Sequence, residues 1–170
     1  MSTARVIAAV VSVAAMAGCA APSGGTAFDV NGATISTRAV DQAATDCAKL
    51  VGSTHDKIRE QVATMYLQGL IAQQVAVADN VTISDGEKSA VVKAQNLNQL
   101  MDGGACQNAV DTWLNIAVLQ QKVGAQKLLA DAQKLSVQVN PIYGPFQASN
   151  LSLPGGSGSL SDLSSAAPLP

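Results

Sequence analysis

The sequence predicts a mainly α fold: a helical domain of about four helices with a small sheet made by an N-terminal β-hairpin and a C-terminal strand. Three observations carry this expectation. The 170 residues are 48% hydrophobic but only 3% aromatic, and 29 of them are alanines, which favour helix and let helices approach closely. Apolar residues recur at helical spacing through the middle of the chain. Asn31-Gly32, the dipeptide that most readily adopts a type I′ turn, lies between two short apolar runs near the start, and an alternating segment, Ser136–Asn140, lies near the end.

The elements follow in order. Phe28-Asp29-Val30 and Ala33-Thr34-Ile35 flank the Asn-Gly pair and read as the hairpin. Ser36 or Thr37 can cap a first helix running to about Val51, where Gly52 stops it. Its apolar positions Val40, Ala43, Ala44, Cys47 and Val51 share one side. Ser53 with Asp56 opens a long second helix, roughly Thr54 to Asp79, whose middle is apolar around most of its circumference. Such a helix is buried on more than one side or offers apolar surface to a partner. Ser84-Asp85-Gly86-Glu87 is a fuller capping box, predicting a third helix from Asp85 to Met101. A fourth helix, about Ala105 to Leu135, carries the stripe Cys106, Val110, Trp113, Leu114, Ala117, Val118, Leu128, Ala132 and Leu135. Ser136–Asn140 then alternates, and Pro141 and Pro145 exclude helix beyond it. From Gln147 to Pro170 the chain is rich in Gly, Ser and Pro with Asp162 its one charge, and it is expected to be a disordered tail.

The start of the chain reads as an address. Residues 1–18 have a short n-region with Arg5, an apolar run from Val6 to Ala17 too short to span a bilayer, and small residues before a cysteine. Met16-Ala17-Gly18-Cys19 resembles the bacterial lipobox, although Met16 stands where Leu is usual. That resemblance implies cleavage before Cys19 and lipidation of Cys19, with 19–26 as a lipidated tether. The chain would then be held at the extracytoplasmic face of the cell membrane by its lipid. Folding there is oxidising, and the two remaining cysteines, Cys47 and Cys106, form an even pair expected to be disulfide-bonded.

Little chemistry is on offer. A formal charge of −2 with scattered Lys and Arg, one Trp, two Tyr and two Phe leave no basic stripe or stacking platform, so nucleic acid is not an expected partner. His55 reads as a surface residue near a helix start. With Cys47 and Cys106 it could formally hold zinc, but three widely spaced ligands without a Cys-x-x-Cys pair are a weak signal. No metal, cofactor or catalytic residue is expected, and the chain is read as not an enzyme. What rises above background is apolar: Met65, Tyr66, Leu67, Leu70 and Ile71 on the second helix, with Leu97, Leu100 and Met101 on the third. These are either core or a groove for loosely bound extended peptide.

Val30-Asn31-Gly32, Ile35-Ser36, Val81-Thr82-Ile83-Ser84-Asp85 and Val139-Asn140-Pro141-Ile142-Tyr143-Gly144 together resemble the N-terminal domain of SurA-type periplasmic chaperones and foldases, in a short, lipid-anchored version like those of actinobacteria. The resemblance covers about residues 27 to 146. It implies a helical domain closed by the hairpin and the final strand, and an activity of holding unfolded or extended segments of envelope proteins. Ile142 replaces the family's usual arginine. No parvulin isomerase segment accompanies the domain, so isomerase activity is not implied. The expected function is that of a membrane-anchored, chaperone-like protein. The alternatives are a structural or adaptor lipoprotein that binds one folded envelope partner, and a carrier of a small apolar ligand.

Overall fold

The computed structural model describes residues 24–154. The signal sequence, Cys19, the tether as far as Ser23 and the tail beyond Pro154 lie outside the described residues. The fold is mainly helical with a three-stranded antiparallel sheet. Strand β1 (Thr26–Val30) pairs with β2 (Ala33–Ser36) on one side and β3 (Val137–Val139) on the other. The register sets Phe28 opposite Ile35 and Val139, and Val30 opposite Ala33 and Val137. Asn31 and Gly32 take φ values of 51° and 86°, as the mirror-image turn requires.

Helix α1 (Thr37–Val51) starts where β2 ends. Ser36 caps it by accepting a 3.1 Å bond from the Ala39 N–H. Its buried stripe is Val40, Ala43, Ala44, Cys47 and Ala48. Val51, expected on that stripe, is 51% exposed, because the helix ends there and its last turn leaves the core. Helix α2 (His55–Ala78) is buried continuously from Val62 to Ala72. Its N-cap Thr54 makes no side-chain cap bond, so its start depends on tertiary contacts more than on the expected Ser53–Asp56 signal.

Two expected helices are shorter than their apolar patterns. Helix α3 (Asp85–Ala94) has the full capping box, with Ser84 and Glu87 bonded reciprocally, but it ends seven residues early. Asn96 enters the left-handed region at φ 55°, and Asn98–Asp102 continues as a 3₁₀ turn. The expected fourth helix is two: α4 (Ala105–Val123) and α5 (Ala125–Ala132). Gly124 between them has φ 82° and ψ 151°, a conformation open to glycine at no steric cost, which turns the chain while keeping Leu128 and Ala132 on the core side. The segment from Gln147, expected to be disordered, is folded as far as Pro154. Gln147 pairs with Ser152, and Leu151 and Leu153 are 4% and 3% exposed.

The core is one contiguous cluster built around α2 and α4, with α1, α5 and the inner side of the sheet packed against them. At Gly69 the two central helices nearly touch. A Cβ there would lie 2.0 Å from the carbonyl oxygen of Thr112, so only glycine permits the crossing. The cysteines are bonded, Cys47 to Cys106, with Cα atoms 4.9 Å apart. Next to them the Asp46 carboxylate accepts a 3.2 Å bond from the Ala105 N–H, and together these contacts pin α1 to the start of α4.

Candidate functional site

The eight residues singled out for peptide binding are core or half-buried. Leu67 and Ile71 are fully enclosed, and Met65, Tyr66, Leu70 and Leu97 are at most 9% exposed. Leu100 and Met101 are half-buried, packed against the same cluster from the 3₁₀ turn. Burial also pushes the Tyr66 phenol above its ordinary pKa. The apolar circumference of α2 is explained by neighbours: α1, α4, α5 and β1 each contact it. Of the two readings, core or groove, these residues are core in this structure, and the large apolar side chains most exposed among the described residues, Val51, Val77 and Ile142, are scattered.

That interior is not uniformly apolar. Thr64 Oγ1 and Gln68 Nε2 on α2, and Trp113 Nε1 on α4, are buried and make no hydrogen bond among the described residues. Each such group costs roughly 1–3 kcal/mol.

The described surface offers a polar concavity instead. An open depression of about 730 Å³ runs along the outer side of α1, lined by Thr37, Arg38, Asp41, Gln42, Thr45, Asp46 and Ala105. The last residue belongs to α4 and is held beside α1 by the disulfide and the Asp46 bond. At one flank Asp41 accepts a 2.7 Å bond from Arg59 Nε. The Arg59 guanidinium lies over the Tyr143 ring, 4.7 Å from its centroid, and its Nη2 is 3.4 Å from the phenol oxygen. The Asp41 carboxylate bonded to it raises the guanidinium pKa still further. Burial pushes the Tyr143 phenol up although Arg59 opposes it. Tyr143 packs in turn on Phe28, with ring centroids 5.1 Å apart.

His55 lies at the same flank, with Nδ1 3.0 Å from Asp56 Oδ1 and Nε2 3.9 Å from Asp41 Oδ1. No group of three or more His, Cys, Asp and Glu that could hold a metal occurs among the described residues. The Asp41–Arg59–Tyr143 chain was not singled out in the sequence. Its one signal is Arg59, a long cation one turn before the enclosed stretch of α2, and its partners are 18 and 84 positions away.

No helix among the described residues is long and apolar enough to cross a membrane. No family model, curated protein or solved structure matches this chain.

Proposed function

We propose that this chain is a lipid-anchored, non-enzymatic binding module of the cell envelope, tethered through Cys19, that meets one folded partner through the polar side of α1. The observation that carries this reading is the exchange of surfaces. Side chains suited to holding unfolded peptide are core, while a depression of hydrogen-bonding and charged groups lies open on a helix clamped in place at Cys47 and Asp46. Clusters of this kind favour a partner with complementary polar groups over an extended apolar segment.

A second reading, the chaperone-like one, is supported by the unpartnered polar atoms of Thr64, Gln68 and Trp113. They weaken the closed state and favour a domain that opens between α2 and α4 to take a client. The two readings part in one experiment. The chain from Ala20 onward is mixed with several unfolded clients at modest molar excess, and aggregation is followed by light scattering. The adaptor reading expects no delay with any client, and co-isolation of one folded envelope protein that is lost on Thr45→Arg with Gln42→Arg. Delayed aggregation of several clients, unaffected by those two substitutions, overturns it in favour of the chaperone.

A further inference from the structure

The anchored chain cannot sit at any height above its membrane. Four residues, Ala20–Ser23, separate Cys19 from Gly24, and at about 3.5 Å per residue the extended connection spans less than about 18 Å. Gly24 and Gly25 lead directly into β1, and Gly25 is fastened to the body: its carbonyl accepts a 2.9 Å bond from the Thr37 N–H. The end of the sheet where β1 begins is thus the end closest to the lipid.

Antiparallel pairing brings the end of β3 to the same place. The Asn140 N–H donates to the Ala27 carbonyl at 2.8 Å, and its side-chain amide donates to the Thr26 carbonyl at 2.9 Å. The chain beyond Asn140 then runs off the sheet on the tether side as a short 3₁₀ turn, Pro141–Tyr143, that the same Asn140 caps. Apart from the buried Tyr143, this turn is apolar and outward. Ile142 is 59% exposed, Pro141 and Pro145 are exposed beside it, and no charged residue occurs from Ser136 to Ser161. The adjoining first turn of α1 contains Arg38 and no acidic residue.

We propose that the Pro141–Pro145 turn is a membrane-contacting surface, with Ile142 entering the boundary between headgroups and acyl chains of the leaflet that holds the Cys19 lipid. An apolar side chain beside a lipid anchor adds binding through buried area, and the Asp41 carboxylate near the turn is paired with Arg59. The contact brings the Arg59 end of α2, and not its Val77 end, beside the bilayer. Arg59, which touches Tyr143, and Val77 are separated along that helix by about 27 Å at 1.5 Å per residue. This inference rests on the lipid-anchor reading of Cys19.

The test uses the full chain purified from membranes and returned to vesicles of phosphatidylcholine with phosphatidylglycerol containing doxyl-labelled lipid. A fluorophore is attached through Ile142→Cys in one sample and Val77→Cys in another, both positions being exposed. Quenching at 142 is expected to exceed quenching at 77 by at least threefold. The unlabelled protein supplies an independent measurement: hydrogen exchange at 140–146 should slow severalfold on vesicles relative to the soluble chain from Ala20, with 76–80 unchanged. Acylated protein with equal quenching at both positions and unchanged exchange overturns the membrane contact and leaves the anchor intact. Absence of an acyl mass on the Cys19 peptide overturns both.

Discussion

Two stretches of this chain are equally poor in charge and end up in opposite places. Val62–Ala72 on α2 is enclosed at every position, whereas Pro141–Pro145 has Ile142 and two prolines in the open. Charge does not separate them. Surroundings do: α2 has α1, α4, α5 and the first strand against it, while the turn lies past the last strand at one end of the sheet. An apolar segment is buried only where enough other elements exist to cover it, and the part left uncovered here lies at the end of the sheet where β1 begins.

The strongest way to break this contrast is to loosen what encloses α2. Cys47 and Cys106 are 59 positions apart, and closing a loop of that size contributes about 4 kcal/mol in the chain-entropy model. Cys47→Ala with Cys106→Ala should lower the free energy of unfolding in urea by about that amount. A loss below about 1 kcal/mol would show that the Asp46–Ala105 contact and the packing hold α1 to α4 unaided. Gly69→Ala comes next. Its methyl would meet the Thr112 backbone at 2.0 Å, so the helices must part, and a loss of roughly 3 kcal/mol is expected from overpacking. If that variant is as stable as the parent, the close crossing of α2 and α4 is wrong.

Much of the architecture was legible from residues alone, and the failures share a cause. Asn31-Gly32, the Ser36 cap and the Ser84–Glu87 box each bond within a few residues, so local pattern sufficed for the hairpin and for the starts of α1 and α3. Helix ends were overrun where apolar periodicity continued through a break, as at Gly124 and Asn96, because both sides of the break still face the same core. Whether Met65 to Ile71 are core or groove could not be read from α2 alone, because it depends on what packs against that helix, and α4 and α5 cover them. The site that is exposed depends on pairs far apart, such as Asp46 with Ala105 and Arg59 with Tyr143, which no local pattern announces.

Arg59 is the link between the two stretches, since it springs from α2 and ends on the turn. Arg59→Ala removes its bond to Asp41 and its cation–π contact with Tyr143. Because Asp41 is nearly half exposed, the ion pair adds only ~0.5 kcal/mol after screening, and the ring contact about as much. A total loss near 1 kcal/mol is expected, with faster hydrogen exchange at 140–146 and none in the middle of α2. Arg59→Lys should restore little, because a single ammonium cannot lie flat on the ring while donating to Asp41 in the same plane. Equal acceleration in both stretches would mean that Arg59 supports the whole body and not the turn.

The smallest effect is a matter of acid. Glu87 is held down to about 2, first by Lys122 and then by the Ser84 N–H and hydroxyl, and Asp131 is held down to about 2 by Lys127 and then Lys134. Both start from ordinary values, 4.5 and 3.8. A carboxylate that binds its proton more weakly when folded contributes stability in full above its unfolded pKa, and loses it as pH falls through the folded one. The urea midpoint should therefore stay level from neutral pH to about 5 and decline between about 4.5 and 2. Glu87→Gln should lower the midpoint at pH 7 and make that decline shallower; an unchanged slope would assign the acid sensitivity elsewhere. Glu87 joins α3 to α4, and Lys127 joins α5 to Asp79 just past α2. Loosening by acid thus begins where α3, α4 and α5 meet around Glu87 and Asp131, and exchange at 140–146 should hold steady while those contacts give way.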